Sequence, residues 1–135
     1  MALVTWDPSY SVKVNRCDDD HKKLFSMINA LHEAMMAGHG SDKVQQIVKQ
    51  LADYTKFHFS AEEAFLEKTK YPGLTAHRAE HQAFVKRVEQ FQQELAAGKS
   101  VQSISVAKFL NEWLVNHIKQ TDQKYSAHLN ANGIN

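Results

Sequence analysis

Cysteine, proline and glycine are all scarce in this sequence, which contains one cysteine, two prolines and five glycines among 135 residues. The single thiol of Cys17 cannot form an internal disulfide, which excludes a disulfide-stabilised secreted scaffold and favours a reducing cytoplasm. Pro8 and Pro72 lie outside the segments with regular apolar spacing. Long helices therefore need not be interrupted by proline.

An excess of charge and long apolar runs are also missing. Sixteen Lys and Arg against fifteen Asp and Glu give a net charge of +1, and the charges are interspersed, so we expect neither a nucleic-acid partner nor a polybasic membrane surface. No signal-like segment and no run of eighteen apolar residues occurs, so membrane insertion is not expected.

With 43% hydrophobic residues, the chain is long enough to bury a core. We expect one domain over residues 1–135 and a monomer.

Apolar residues recur at helical spacing in four stretches, which predicts an all-α protein. The inward stripe of the fourth stretch begins with Ile104, Ala107 and Leu110. The first helix is predicted over about residues 18–37 and ends at Gly38, and the third is predicted to end at Gly98. The predicted helices follow these start signals in turn: the acidic cluster Asp18–Asp20, then Ser41, then Thr75, and finally Ser100 or Ser103. Because short connections make successive helices antiparallel, we expect an up-down-up-down four-helix bundle over about residues 18–130, preceded by an extended N-terminal arm, residues 1–17.

Side chains that can bind metal fall at one end of this predicted bundle. His58 and Glu62 are four residues apart, as are His77 and His81, so each pair projects from one face of its helix. The full set of candidate ligands is His21, His58, Glu62, His77, His81, His117 and Asp122. Imidazole and carboxylate without thiolate favour iron, manganese or zinc.

One spacing in this set departs from a regular helix. His117 and Asp122 are five residues apart, which is about 140° around a helix of 3.6 residues per turn. A regular helix would not aim both side chains inward. We therefore predict a π-bulge between them, a feature that is frequent at functional sites.

The motifs themselves resemble those of a known family. They are His58-Phe59-Ser60-Ala61-Glu62-Glu63, Tyr71-Pro72, His77-x3-His81, and Trp113-Leu114-x2-His117-Ile118-x3-Asp122-x2-Tyr125. Together they resemble the hemerythrins, and Trp6-Asp7 with Tyr10-Ser11-Val12 is similar to the bacterial branch, the bacteriohemerythrins. The resemblance extends from Trp6 to Tyr125.

This resemblance implies a pair of iron ions with a bridging oxo or hydroxo group. His77, His81 and His117 would bind one iron, His21 and His58 the other, and Glu62 and Asp122 would bridge both. These ligands leave one of about twelve octahedral positions open, on the two-histidine iron. Dioxygen would bind there reversibly as hydroperoxide, in a carrier, storage or delivery protein rather than an enzyme.

The resemblance also implies an oxygen cavity lined by Leu24, Phe59, Trp113, Leu114 and Ile118. Tyr125, three residues after Asp122, is a candidate hydrogen-bond donor to a bridging carboxylate. Dioxygen is the implied ligand, and an oxygen-consuming client protein is a candidate partner.

Two other functions remain open at this point. The same centre could belong to an enzyme that reduces peroxide or nitric oxide, or to a module that senses oxygen or redox state. A ferritin-like di-iron site is disfavoured, because no glutamate stands three residues before a histidine.

The remaining polar residues are interpreted structurally. His32, His39 and His128 are expected at the surface or at helix ends, and Glu63 and Glu67 on a solvated helix face. Cys17 stands where the family commonly has an aliphatic residue, and Asp20 where it commonly has Gln or Glu. We interpret Cys17 as a small packing residue and Asp20 as an acidic residue at a helix start.

Overall fold

The computed structural model describes residues 4–99 and 101–135, which fold into four helical rods without a strand among them. The first rod is α1 (Asn15–Met36) and the third is α4 (Leu74–Ala96). The second rod runs from α2 (Gly40–Tyr54) through a π-helical segment, π1 (Thr55–Phe59), into α3 (Ser60–Lys68). The fourth joins α5 (Ser103–Trp113), a second π-helical segment, π2 (Leu114–Thr121), a 3-10 turn (Asp122–Tyr125) and α6 (Ser126–Ala131). The predicted all-α four-helix bundle is confirmed.

The rods pack around a large apolar core, and a second, smaller apolar cluster contains Cys17, Leu66 and Tyr125. α1 contacts α2 and α5, and α2 also contacts α4. Leu24, Ile28, Leu51, Phe84 and Leu110 are among the fully buried side chains of this core. No helix of the described residues is long and apolar enough to cross a bilayer.

The N-terminal arm is attached to α1 by aromatic and polar contacts. The Trp6 and Tyr10 rings pack against Phe25 at centroid distances of 5.4 and 4.7 Å. The Asp18 carboxylate accepts hydrogen bonds from the Val12 amide at 2.8 Å and from the Ser11 hydroxyl at 2.6 Å. Asp18 therefore ties the arm to α1, which begins three residues earlier than predicted, at Asn15.

The predicted ends of the first and third rods are correct, but the predicted starts of the second and third rods are not. Gly38 and Gly98 adopt φ of +80° and +76° directly after the first and third rods, the left-handed conformation that glycine adopts most easily. Ser41 and Thr75, however, lie inside the first turns of α2 and α4, and neither helix has a side-chain cap. At the start of α2 the backbone packs closely, because a Cβ on Gly40 would lie 2.6 Å from Ser103 Oγ.

The fourth rod begins at Ser103, one of the two predicted starts, whereas Ser100 lies outside the described residues. Ile104 was predicted on its inward stripe but is 58% exposed, whereas Val101 and Val106 are buried. The predicted inward face of the fourth helix was therefore wrong in its first turn. Val101 precedes the helix and contributes its side chain to the core from the loop.

The π-bulge predicted between His117 and Asp122 is confirmed. π2 covers Leu114–Thr121 and ends immediately before Asp122. A π-turn takes up an extra residue, so two side chains five apart reach the same side of the rod. The sequence did not predict π1, which contains His58.

Candidate metal centre

All seven predicted ligands meet at one end of the bundle. His21 comes from the second turn of α1, His77 and His81 from the start of α4, and His117 from π2. His58, Glu62 and Asp122 come from π1, α3 and the 3-10 turn. Each of the seven residues is at most 3% exposed. Their ligand atoms form two groups, each within 4.8 Å, which are Glu62, His77, His81, His117 and Asp122, and His21, His58 and Glu62.

Glu62 lies between the two groups of histidines. Its Oε1 is 2.6 Å from His77 Nε2 and 3.0 Å from His81 Nε2. Its Oε2 is 3.2 Å from His58 Nε2 and 3.6 Å from His21 Nε2. Each oxygen of this carboxylate thus faces a different group.

Asp122 divides its oxygens in the same way. Its Oδ1 is 2.9 Å from His117 Nε2 and 3.1 Å from His77 Nε2. Its Oδ2 is 3.3 Å from His21 Nε2. Both carboxylates therefore present one oxygen to the group His77, His81 and His117, and the other to the group His21 and His58.

Several of these buried polar atoms lie close to one another, and some of them have no hydrogen-bond partner among the described residues. His117 Nε2 and both Asp122 oxygens have no hydrogen-bond partner among the described residues, although His117 Nε2 and Oδ1 are only 2.9 Å apart. Nε2 of His21 and Nε2 of His58 lie 3.1 Å apart. Unpartnered buried polar atoms are costly, and cations between them would satisfy nitrogens and oxygens together. The residues present fit a metal centre.

The electrostatics of the cluster also suit cations. Burial lowers the pKa of His21, but the nearby negative carboxylates of Asp122 and Glu62 outweigh burial and raise that pKa to about 9. The same balance raises the pKa of His77 to about 10. Burial raises the pKa of Glu62, yet the surrounding histidines hold that pKa well below its ordinary value. Bound cations would take the place of these protons.

The sequence and the geometry agree with a known family. A family model, the hemerythrin HHE cation binding domain, matches residues 12–129. The chain belongs to the hemerythrin family.

Individual relatives cover nearly the whole chain. It is 36% identical over 132 residues to a bacteriohemerythrin of Methylococcus capsulatus, an alignment of 97% of this chain and 100% of the relative. A bacteriohemerythrin of Stenotrophomonas maltophilia is 34% identical, over 96% of this chain and 86% of the relative. A crystal structure of wild-type hemerythrin superposes with a TM-score of 0.84 at 34% identity, over 95% of this chain and 98% of the solved one.

Around this hemerythrin-type cluster, carboxylates contact the outward nitrogens of three histidines. His58 Nδ1 lies 3.0 Å from Asp20 Oδ2, His81 Nδ1 lies 2.8 Å from Glu63 Oε2, and His117 Nδ1 lies 3.4 Å from Glu80 Oε1. Burial raises the pKa of Asp20, but the hydrogen bond and charge of His58, then those of Arg16, outweigh burial and lower that pKa.

Sequence reasoning missed these three carboxylates. Glu63 was assigned to a solvated face, which is wrong, since it is half-buried and also accepts from Arg78 at 3.0 Å. The interpretation of Asp20 as only a helix-start acid is incomplete, because it contacts His58, and the predicted site did not include Glu80. Glu67 is exposed, as predicted. The available signal was adjacency, because Asp20 precedes His21 and Glu63 follows Glu62.

Tyr125 reaches the cluster from the fourth rod. Its hydroxyl donates to Glu62 Oε2 at 2.8 Å, the kind of contact that its position suggested. Cys17 is buried in the same apolar cluster as Tyr125, and burial raises the pKa of its thiol. His39 precedes α2 and is exposed, while His32 and His128 are half-buried and belong to neither ligand group.

Aromatic side chains stack on the histidines of the cluster. The Phe59 ring stacks on His81 at a centroid distance of 3.8 Å, and the Trp113 ring stacks on His117 at 3.8 Å. Leu24, Leu114 and Ile118 are fully buried. The sequence did not single out Tyr54, whose ring stacks on His58 at 5.1 Å.

Proposed function

We propose that this protein binds dioxygen reversibly at a pair of irons, as a carrier, store or delivery protein. The observation that carries the proposal is the division of Glu62 and Asp122, each with one oxygen toward either group of histidines. A carboxylate placed in this way can bridge two cations. Membership of the hemerythrin family supports the same assignment.

In this proposal each group of histidines holds one iron. His77, His81 and His117 would bind the first and His21 and His58 the second, with Glu62, Asp122 and an oxo or hydroxo group between them. The second group has one histidine fewer, so a coordination position is left there for an exogenous ligand. When bound, the ferrous pair would supply the two electrons that dioxygen accepts on binding and returns on release.

The protein's own residues would keep this exchange reversible. Leu24, Leu114 and Ile118 are fully buried and Phe59 nearly so, so they would exclude the water that promotes loss of a bound oxygen species. Trp113 closes the His117 side by stacking on its ring. Tyr125 holds the Glu62 carboxylate in orientation through the 2.8 Å hydrogen bond.

The ligand set favours binding over oxidation chemistry. Five neutral imidazoles donate less charge than carboxylates do, so we expect weaker stabilisation of high iron oxidation states than in a carboxylate-rich site. Dioxygen is the proposed ligand and an oxygen-consuming protein the proposed client. A cytoplasmic location would suit the buried, reduced Cys17 thiol.

An oxygenation cycle tests this function. The full chain is loaded anaerobically with ferrous iron, titrated with oxygen while its visible charge-transfer band is recorded, and then deoxygenated. We expect two irons per chain and full return to the colourless reduced form over repeated cycles. Irreversible oxidation with release of a product in each cycle would contradict a carrier and favour an enzyme.

A further inference from the structure

Asp20 contacts the ring nitrogen of His58 that faces away from the cluster. Asp20 Oδ2 lies 3.0 Å from His58 Nδ1, while Nε2 of the same ring lies 3.2 Å from Glu62 Oε2. A charged acceptor at Nδ1 keeps the ring proton there, which leaves the Nε2 lone pair free for a metal.

We propose that Asp20 is a positioning residue for the centre, which holds His58 in the tautomer and ring orientation that metal binding through Nε2 requires. This inference rests on the proposed function, because a metal bound at Nε2 is what gives the contact its role. The charge of Asp20 would also make His58 a more basic ligand and so favour the ferric state at the two-histidine group.

Two basic side chains of the same helix also contact the Asp20 carboxylate. The oxygen that contacts His58 also accepts a hydrogen bond from Arg16 Nε at 3.1 Å, and Oδ1 lies 3.6 Å from Lys23 Nζ. Both basic residues are on α1, four residues before and three after Asp20. The carboxylate is thus oriented from the solvent side and cannot turn away from His58 without losing these partners.

The three outer carboxylates differ in how strongly they can act. The Asp20 side chain is 8% exposed, that of Glu63 25% and that of Glu80 42%. Burial strengthens a hydrogen bond to a charged group because water does not compete. The Glu80 contact is also longer, at 3.4 Å, and Glu80 Oε1 accepts from Thr121 as well. Asp20 should therefore have the largest effect of the three.

The two-histidine group depends on this contact in particular. His21 Nδ1 is buried and has no hydrogen-bond partner among the described residues. Within the pair, His58 is therefore the histidine whose tautomer is set by a carboxylate. Without Asp20, neither His21 nor His58 would have a charged acceptor at Nδ1.

Three variants of the full chain separate the parts of this role. Asp20→Ala removes both acceptor and charge, and Asp20→Asn keeps an acceptor of nearly the same shape without the charge. Glu80→Ala is the matched control, because it removes the weakest of the three contacts. Metal release to a competing chelator, the iron reduction potential, and ¹⁵N signals of the His58 ring in zinc-loaded protein are measured for each.

In Asp20→Ala we expect one metal equivalent to bind about 10- to 100-fold more weakly, with shifted His58 ring signals and a raised reduction potential. Asp20→Asn should raise the potential yet keep the ring signals of the wild type, and it serves alone if Asp20→Ala does not fold. Glu80→Ala should stay closer to the wild type in all three measurements.

Two results would overturn the inference while leaving the proposed function intact. One is an Asp20→Asn protein with the potential of the wild type, together with wild-type metal affinity in Asp20→Ala where that variant folds. The other is an equal effect of Asp20→Ala and Glu80→Ala. A wild-type chain that cannot hold a pair of metals would instead remove the proposed function, and this inference with it.

Discussion

The Tyr125 hydroxyl donates a 2.8 Å hydrogen bond to Glu62 Oε2, the oxygen that faces His58 and His21. The contact joins the fourth rod to the second at a point where Glu62 is fully buried. It therefore fixes which way the carboxylate plane turns, and with it how the two oxygens are divided between the histidine groups.

Removal of this hydroxyl should destabilise the protein. A hydrogen bond to a buried charged group contributes about 1.5–3 kcal/mol, so Tyr125→Phe should lower the free energy of unfolding of the metal-free protein by that amount in urea denaturation. Tyr54→Phe is the matched control, because the Tyr54 hydroxyl is buried without a hydrogen-bond partner among the described residues. That substitution should be neutral or stabilising, and equal losses in both variants would refute the assigned contact.

Glu62 should be required for metal binding, whereas Glu67, on the same helix, should not be. In Glu62→Gln the charge between the two histidine groups is lost, so we expect iron bound per chain to fall below two. Glu67→Gln changes an exposed residue that pairs with Arg78 at 3.2 Å and should keep wild-type stoichiometry. Iron analysis after gel filtration measures both, and full loading of Glu62→Gln would argue against a bridging role.

The apolar wall should protect the oxygenated protein independently of overall stability. Ile118→Ala and Leu31→Ala each empty a fully buried site, and each should cost about 2–5 kcal/mol of unfolding free energy. Ile118 follows His117 directly, whereas Leu31 is ten residues along α1 from His21, about 15 Å at the rise of a helix.

Only Ile118→Ala should therefore admit water to the centre and accelerate autoxidation, followed as decay of the oxygenated spectrum. Comparable acceleration in Leu31→Ala would attribute the effect to general loosening of the fold instead of local access of water.

Metal removal should weaken the fold at the end of the bundle that holds the cluster. His117 Nε2 and the Asp122 oxygens have no hydrogen-bond partner among the described residues, so the metal-free protein carries a cost that bound cations remove. A metal present at 100 times its dissociation constant adds about 2.7 kcal/mol. Thermal unfolding with and without a chelator measures the difference, and identical midpoints would contradict a metal bound by these residues.

Much of the fold followed from apolar spacing and from two glycines. The helical period located all four rods, and Gly38 and Gly98 marked two of their ends, since both adopt positive φ. The helix starts predicted from Ser41 and Thr75 were wrong, because capping preference is a weak local signal and neither side chain caps its helix. Close packing of Gly40 on Ser103 depends on two distant segments and cannot be read from either alone.

The two π-segments show where spacing is informative. The five-residue offset of His117 and Asp122 required a change in the helix if both side chains were to point inward, so π2 could be predicted. His58 and Glu62 have the ordinary spacing of four, so nothing called for π1. The contact between Asp20 and His58 joins two different rods. Such a contact depends on how each helix is rotated about its own axis, which apolar periodicity does not define accurately enough.

The central claim is that Glu62 and Asp122 bridge two irons held by the two groups of histidines. Mössbauer spectroscopy of the oxidised, ⁵⁷Fe-loaded full chain tests it most directly, together with iron analysis of the same sample. We expect two irons per chain, antiferromagnetically coupled to a diamagnetic ground state through the shared bridge. One iron per chain, or two irons with independent paramagnetic spectra, would contradict the claim.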